Sequence, residues 1–201
     1  MTPIGVVLFD LGNVIAHIDF DSFWRSLNLS DLEKRTPFKD KYKEFTKAYE
    51  TGLLLTSEYL QKLYSLFNQQ YTLSELKWAV ESIIEDPVEG MDKLVQEVSA
   101  NCKTALVSNT NELHYSLSKS KIASLQHLGK HYCSYILQVM KPAYGFYDAI
   151  VKDLKCDPST MLFVDDLQEN IDGAVAAGMC GVRFESVQQL KIVLKSYNIV
   201  S

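Results

Sequence analysis

Residues 6 to 15 read Val-Val-Leu-Phe-Asp-Leu-Gly-Asn-Val-Ile, and this stretch decides the fold class of the chain. Four apolar residues, Val6 to Phe9, run directly into Asp10, and Gly12 and Asn13 follow. The apolar run predicts a buried parallel strand, and the Gly-Asn pair predicts a sharp turn at its carboxyl end. Ligands bind at that edge of an open α/β sheet, so Asp10 is a candidate nucleophile or metal ligand. By itself, a plain helix cap is the simpler interpretation of Asp10.

Two later segments add groups that suit a phosphate ion. An apolar run from Thr104 ends in Ser108 and Asn109, which offer a hydroxyl, an amide and backbone N–H groups to an anion. Lys141 precedes Pro142, which opens a helical pattern over residues 142–154 and suits the first helical position. A lysine there could neutralise a phosphate or a group of carboxylates. Taken singly, Ser108 or Thr110 would be a helix N-cap and Lys141 a solvated surface residue.

A fourth segment ends in two adjacent acidic residues. The apolar residues 161–164 lead into Asp165 and Asp166. Neighbouring carboxylates repel each other unless a cation lies between them, and hard oxygen ligands suit Mg²⁺. A role for Asp166 as a helix N-cap is about equally plausible until the other strand ends are counted.

The four strand ends together point to phosphoryl transfer. In this interpretation Asp10 attacks phosphorus, while Ser108, Asn109, backbone N–H groups and Lys141 hold the phosphoryl oxygens. Mg²⁺ bound by Asp10 and the acidic pair offsets the charge between an anionic nucleophile and an anionic substrate.

These segments resemble the haloacid dehalogenase superfamily of phosphohydrolases over nearly the whole chain. Their order and spacing agree with the four motifs of that superfamily. Residues 10–20 and 108–114 are also similar to a bacterial group of capped α-glucose-1-phosphate phosphatases. The matching segments are residues 9–14, residues 106–110, residues 140–142 with Tyr147, and residues 163–166 with Asn170 and residues 177–179.

The resemblance implies a ligand set for Mg²⁺ and exposes one departure from the family pattern. It implies ligation by the Asp10 carboxylate, the Gly12 carbonyl and Asp166, with Asp165 acting through water or Lys141. The usual phosphatase carries a second Asp, its general acid, where this chain has Gly12. Without that acid, substrates with good leaving groups are favoured, such as a hexose 1-phosphate.

Two residues in the first crossing to the insert could stand in for the missing acid. His17 and Asp19 lie seven and nine positions after Asp10. The simpler interpretation is that Asp19 caps the next helix and that His17 is a partly exposed linker residue. Gly12 itself is expected to tolerate an added side chain poorly if its φ is positive.

Residues 18–86 show helical rather than strand periodicity. Apolar stripes at helical spacing and a capping box at 72–75 predict four helices. We therefore predict a four-helix cap, residues 17–86, inserted into an α/β core of residues 1–16 and 87–201. Because the insert leaves directly after the Asp10 turn, it should lie over the carboxyl edge of the sheet as a lid. Its aromatic stripes are expected to form the cap core, with substrate stacking as the alternative.

After the insert, strand and helix patterns alternate, which predicts a Rossmann-like, doubly wound parallel sheet. Strands are expected at 103–108, about 134–138, 160–165 and 180–184. Helices are expected to start at 86–89, with Pro87 at the first position, and at Ser186; Gly178 fits a helix C-cap.

Composition narrows the class of protein further. The chain has 201 residues, a net charge of −5 and no basic stripe, which argues against a nucleic-acid partner. No apolar run reaches about 18 residues, so no transmembrane helix is predicted. The four cysteines are scattered along the sequence, which argues against a zinc site and against a redox-active cysteine pair. We expect a cytoplasmic protein that acts on a small phosphorylated metabolite, without nucleic-acid or membrane partners.

Two other functions remain open at this point. A 2-haloacid dehalogenase would also use an Asp nucleophile but needs no Mg²⁺, and the Asp165–Asp166 pair argues against it. A catalytically weak relative that binds a phosphometabolite or a protein partner is supported by Gly12 alone.

Overall fold

A parallel β-sheet forms the centre of the computed structural model, which describes residues 3–201. The strands are β1 (Val6–Phe9), β2 (Ala16–Ile18), β3 (Ile84–Pro87), β4 (Lys103–Ser108), β5 (Lys130–Cys133), β6 (Met161–Asp165) and β7 (Cys180–Arg183). Five of them form the parallel sheet in the order β5-β4-β1-β6-β7. The other two, β2 and β3, form a separate antiparallel pair. The chain reverses direction along the sheet on either side of β1, which confirms the predicted Rossmann-like, doubly wound fold.

Helices connect the strands. They are α1 (Asp21–Ser26), α2 (Leu32–Glu50), α3 (Thr56–Leu66), α4 (Leu73–Glu81), α5 (Met91–Asn101), α6 (Glu112–Lys121), α7 (Ser134–Leu137), α8 (Tyr144–Leu154), α9 (Gln168–Ala176) and α10 (Val187–Ser196). Along residues 3–201, no helix is both long enough and apolar enough to cross a membrane.

The central strands are buried on both faces, as their continuous apolar sequences predict. Successive side chains of a strand point to opposite faces, so the residues of β1 divide between two hydrophobic clusters. Val7 and Phe9 pack in one cluster with α5 and α10, while Val6 and Leu8 pack in the other with α8 and α9. Helices on both sides therefore hold the sheet rigid behind its carboxyl edge.

The register of the strands sets the position of the polar residues at that edge. Phe9 pairs with Leu106 of β4 on one side and with Val164 of β6 on the other. Asp10 and Asp165, each one residue further along, therefore end side by side. The N–H of Asp10 donates to the carbonyl of Val164 over 2.9 Å, which continues the ladder to the carboxylate-bearing residue itself.

The helices α1–α4, called the helical segment below, pack around their own hydrophobic cluster. Phe23 and Tyr42 stack with ring centroids 4.3 Å apart, and Tyr49 stacks on Tyr59 at 4.4 Å. The capping box at the start of α4 is present, with Thr72 accepting from the N–H of Glu75. The aromatic stripes thus pack as the core of the segment. The exact division of the chain at residues 16/17 and 86/87 stays a prediction.

The prediction of a strand at about 134–138 is wrong. The edge strand is β5, at Lys130–Cys133, and residues 134–137 form the short helix α7. Cys133 pairs with Ser108, the last residue of β4, so the ladder ends there. Past this point Ser134 accepts from the N–H of Thr110, and this side-chain contact takes the place of a further strand pair.

Two expected helix starts are also wrong. Residues 84–87 pair with β2 as a strand, and α5 begins only after Gly90, whose φ of 82° ends the extended segment. The helix expected at Pro142 begins at Tyr144, after a turn closed by the N–H of Ala143 and the carbonyl of Met140. The expectations for Gly178, with a φ of 89°, and for Ser186 as an N-cap are correct.

Candidate active site

Three carboxylates meet at the carboxyl edge of the sheet. Asp10 follows β1, and Asp165 and Asp166 lie at the end of β6, so neighbouring strands deliver them to one place. One oxygen from each of the three lies within 4.8 Å of the others. Asp165 is fully buried and Asp10 nearly so. Uncompensated, such a cluster would be strongly unfavourable, because buried charges need a partner.

Lys141 supplies that partner from the loop before α8. Its Nζ donates to Asp10 over 2.7 Å, to Asp165 over 2.6 Å and to the carbonyl of Val107 over 3.0 Å. All three N–H donors of the ammonium group are therefore used. The side chain is 2% exposed, so this is a buried charge network and not the solvated surface lysine that the sequence alone would favour.

The surroundings raise the pKa values of both groups, which favours the neutral form of Asp10 and the charged form of Lys141. Burial, with a smaller contribution from the charge of Asp165, raises the pKa of Asp10 to about 7, although Lys141 acts to lower it. Burial lowers the pKa of Lys141, but the charges of Asp10 and Asp165 outweigh it and hold that pKa above its usual value. Lys141 therefore stays protonated and is the group that keeps Asp10 anionic in part.

The two adjacent aspartates have different environments. Asp165 accepts from the N–H of Leu167 over 2.9 Å and from the amide of Asn170 over 2.9 and 3.1 Å, besides its bond to Lys141. The carboxylate of Asp166 accepts from the Asn13 amide over 3.3 Å. Burial raises the pKa of Asp166. The lone pairs of Asp165 are largely taken, whereas those of Asp166 face the cavity described below.

Ser108 and Asn109 lie one strand away, at the end of β4. The Asn109 amide and the Lys141 backbone hold each other, with N–H to oxygen contacts of 2.8 and 3.0 Å. Asn109 thus positions Lys141 through its side chain and leaves its backbone N–H for a ligand. Ser108 is buried, and within residues 3–201 its hydroxyl makes a single long hydrogen bond, to the carbonyl of Asn109 at 3.4 Å, which an anion could replace.

The cluster opens into a cavity of about 590 Å³. Its floor is the sheet edge, with Asp10, Gly12 and Asp166, and its roof comes from α1 and α2, with Trp24 and Tyr42. The volume exceeds that of a phosphate ion several-fold, so a whole small metabolite fits. The remaining lining residues are Asn13, Ile18, Phe20, Lys39, Lys43, Thr46, Lys47, Glu50, Ile83, Asn109, His114, Met140, Lys141, Leu167 and Asn170.

The donor chemistry of the cluster fits Mg²⁺. The groups that face the cavity, the carboxylates of Asp10 and Asp166 and the backbone of Gly12, offer hard oxygen atoms. Mg²⁺ prefers oxygen ligands in octahedral geometry and keeps several waters, which the open side of the cluster can admit. Because Asp165 is held by Lys141 and Asn170, its contribution would be to position that lysine.

The structure places the two candidate acids of the first crossing outside this cavity. His17 is exposed on β2. Asp19 forms an ion pair with Arg25 and accepts from the N–H of Asp21 at the start of α1. These bonds lower the pKa of Asp19, the contact with Arg25 having the largest effect. The N-cap residue of α1 is Phe20, and the Asp19 side chain binds the first N–H of that helix from one position earlier, close to the simpler interpretation of the sequence.

The structure also corrects the expectation about Gly12. The positive φ in this turn belongs to Asn13, at 54°, and not to Gly12. A Cβ at Gly12 would lie 2.9 Å from Cδ1 of Ile18, the far end of a flexible side chain. A larger residue at position 12 is therefore opposed by Ile18 and not by backbone strain.

Two further titratable groups, to which the sequence analysis assigned no role, line the cavity. His114 is buried, and its ring contacts the Asn111 amide at 3.0 Å and the Val80 carbonyl at 2.8 Å. Burial lowers the pKa of His114 to about 4, so it is a neutral link between α6 and α4. Glu50 ends α2, and burial raises its pKa to about 7. No local pattern marks Glu50, because only the position of α2 over the sheet brings it into the cavity.

The comparisons with known proteins agree with this geometry. The family model of the haloacid dehalogenase-like hydrolases matches residues 4–178. A D-ribitol-5-phosphate phosphatase of Bacteroides thetaiotaomicron is 30% identical over 176 residues, which covers 82% of this chain and 84% of that protein. A chloroplast flavin mononucleotide hydrolase of Arabidopsis thaliana is 27% identical over 142 residues, covering 71% of this chain and 57% of that one.

A solved structure shares the fold over nearly the full length. It is a haloacid dehalogenase family enzyme of Bacteroides thetaiotaomicron, in complex with magnesium and inorganic phosphate. The TM-score is 0.80 at 20% identity, and the match covers 92% of this chain and 96% of that one. The donor chemistry of the acidic cluster suits Mg²⁺, and the family match shows that the chain belongs to the haloacid dehalogenase-like hydrolases.

Proposed function

We propose that this protein is a Mg²⁺-dependent phosphatase of a small phosphorylated metabolite, with Asp10 as the nucleophile. The observation that carries the proposal is the buried Asp10–Lys141–Asp165 network beside Asp166, at the floor of a cavity of about 590 Å³. Related proteins that act on ribitol 5-phosphate and on flavin mononucleotide support this substrate class. A hexose 1-phosphate, favoured by the sequence, is our candidate within it.

The reaction divides into two steps. A carboxylate oxygen of Asp10 attacks phosphorus, the bond to the leaving oxygen breaks, and that oxygen takes up a proton as the alcohol leaves. Water then attacks the phosphorus of the acyl phosphate on Asp10, which regenerates the carboxylate and releases phosphate. Bound Mg²⁺ would offset the charge between the two anions, held by Asp10, Asp166 and the carbonyl of Gly12.

Lys141 and its partners prepare the nucleophile. The bond from Nζ of Lys141 fixes Asp10 in one orientation, and the positive charge counters the burial that would protonate it. Asn109 and Asp165 hold Lys141 from its backbone and its ammonium group. Ser108 and the backbone N–H of Asn109 are our candidates for the phosphoryl oxygens. Positioning of this kind reduces the reorganisation that the reaction requires.

Glu50 is our candidate for the proton that the leaving oxygen needs. It lines the cavity with Asp10, and among residues 3–201 no hydrogen bond or ion pair engages its carboxyl group. Burial raises its pKa to about 7, so part of the population is protonated at neutral pH, as a general acid must be. His17 and Asp19 are not our choice, because neither lines this cavity.

The helical segment is proposed to act as the lid of the site. Trp24 and Tyr42 lie over the same cavity that Asp10 floors, so the substrate would be enclosed between the two parts. Enclosure excludes water and lets the lid select the substrate. We propose residues 17–86 as this cap and residues 1–16 and 87–201 as the core.

One assay with a matched variant pair tests the proposal. Phosphate release from a panel of sugar, polyol and nucleotide phosphates is measured with Mg²⁺ and with EDTA, beside chloride release from a 2-haloacid. We expect phosphate release that requires Mg²⁺ and that Asp10→Asn abolishes. Asp148→Asn, which removes a carboxyl group from a surface ion pair with Lys152, is the control and should retain activity.

Three outcomes would contradict the proposal. Retention of near-wild-type activity in Asp10→Asn would exclude Asp10 as the nucleophile. Chloride release without Mg²⁺ would favour the dehalogenase alternative. Absence of turnover with every compound of the panel would favour the alternative of a catalytically weak relative that binds a phosphometabolite or a protein partner.

A further inference from the structure

Helix α2 presents a row of lysines to the active-site cavity. Lys39, Lys43 and Lys47 all line the cavity that contains Asp10. Their spacing of four residues places them on one face of the helix, over a length of about 12 Å. The row therefore runs along the roof of the cavity, at a distance from the phosphoryl site on the floor.

None of the three lysines forms a close ion pair within the part of the chain that the structure describes. Among residues 3–201, no ion pair of 4.0 Å or less involves Lys39, Lys43 or Lys47. On another face of the same helix, Lys41 pairs with Glu44 over 2.7 Å. Like charges four residues apart mildly destabilise a helix, and a bound anion would relieve this repulsion, although all three side chains are exposed to solvent.

The cavity lining is less negative than the protein as a whole. Four lysines line it, the row and Lys141, against three carboxyl groups, Asp10, Asp166 and Glu50. The chain as a whole has a net charge of −5. One phosphate group would be bound at the floor by the metal site, Ser108 and the backbone N–H of Asn109, which leaves the three lysines of the roof unused. Lysine binds phosphate and carboxylate groups as a point charge.

We propose that Lys39, Lys43 and Lys47 form a subsite for a second anionic group of the substrate. The substrate is then a small metabolite with a phosphate or carboxylate in addition to the phosphate that is removed. This inference rests on the proposed phosphatase function. It narrows the substrate class to compounds with two anionic ends separated by a short carbon chain or ring.

Matched substrate pairs test the inference. One pair is glucose 1,6-bisphosphate and glucose 1-phosphate, in which the additional anionic group is a phosphate. The other pair is 6-phosphogluconate and glucose 6-phosphate, in which the additional anionic group is a carboxylate. For each pair, the ratio of kcat/KM is measured at low and at high salt. The variants are the triple substitution Lys39→Gln/Lys43→Gln/Lys47→Gln and, as the control on the same helix, Lys34→Gln/Lys41→Gln.

We expect wild-type protein to prefer the doubly anionic member of at least one pair by about tenfold at low salt, in keeping with a few partly screened charge pairs. The triple variant should bring this ratio close to one, and the double variant should retain it. A wild-type ratio near one for both pairs, or a ratio that survives in the triple variant, would overturn the subsite.

A binding measurement separates this test from that of the phosphatase function. Calorimetry on Asp10→Asn with the same compounds reports affinity without turnover. If the wild-type protein hydrolyses none of the compounds, the phosphatase proposal fails, and the binding ratio alone then decides the subsite. Tighter binding of the doubly anionic compound by Asp10→Asn, lost when the three lysine substitutions are added, supports the subsite. Equal affinities for the two members of each pair overturn the subsite.

Discussion

Lys141→Met should destabilise the metal-free protein strongly. Methionine keeps most of the side-chain volume but removes the three donations to Asp10, Asp165 and Val107. Two buried carboxylates then lie side by side without a cation. Removing one partner of a buried ion pair costs about 3–5 kcal/mol, and we expect the free energy of unfolding to fall by an amount in this range at pH 7.

The assay is urea unfolding of wild type and variant in EDTA, repeated with excess Mg²⁺ and at pH 5 and pH 8. The loss should shrink with Mg²⁺, because the ion supplies positive charge to the same carboxylates. It should also be smaller at pH 5 than at pH 8, because burial raises the pKa of Asp10 to about 7 and removal of Lys141 raises it further. Asp10 is therefore neutral in both proteins at pH 5, whereas at pH 8 it is largely ionised in wild type and gains from Lys141. Lys130→Met, which breaks an exposed pair with Asp153, is the control. A loss no larger than that of the control would refute the reasoning.

Two further predictions concern the acid chemistry. Burial raises the pKa of Glu50 from 4.5 to about 7, so the folded protein loses stability as the pH rises through that interval. Glu50→Gln should remove this loss. Measured by urea unfolding, the free energy of unfolding of the variant relative to wild type should rise by at most about 3 kcal/mol between pH 5 and pH 8. Glu44→Gln on the same helix is the control, and an equal pH dependence in Glu50→Gln and wild type would contradict the assignment. Wild type should prefer glucose 1-phosphate to glucose 6-phosphate in kcat/KM, since its leaving oxygen is the weaker base and depends less on protonation by Glu50. Gly12→Asp, which adds a second acid, should narrow that preference by about tenfold or more, part of the effect of a positioned acid. Gly12→Asn, of the same size but without a carboxyl group, should not narrow it, and a wild-type preference for the 6-phosphate would count against the leaving-group argument.

The local sequence pattern determined much of the core and of the site. Apolar runs that end in polar residues identified β1, β4 and β6, and with them Asp10, Ser108 and the Asp165–Asp166 pair. Helical periodicity and the Thr72 capping box identified the helices between β2 and β3. These features are readable because each depends on contacts between residues close in the sequence.

The pairing of strands at the sheet edge was beyond local pattern. Residues 134–137 look like a strand, yet the ladder of β4 and β5 ends at Cys133 and Ser134 bonds Thr110 instead. The β2–β3 pair, which joins residues nearly 70 positions apart, was likewise missed. Such pairs depend on which chain segments meet in the folded protein, and no window of sequence contains both partners.

The same limit of local sequence pattern applies to the active site. The sequence alone determined that Asp10, Lys141 and Asp165 are chemically suited to one another, but they lie 131 and 24 positions apart in the chain. Only the packed sheet decided that one ammonium group contacts both carboxylates and is buried with them. In the same way, Glu50 and the lysines of α2 belong to the cavity only because the helical segment lies over the sheet edge. Local propensity depends on neighbouring residues, whereas burial and long-range charge pairing depend on the tertiary structure as a whole.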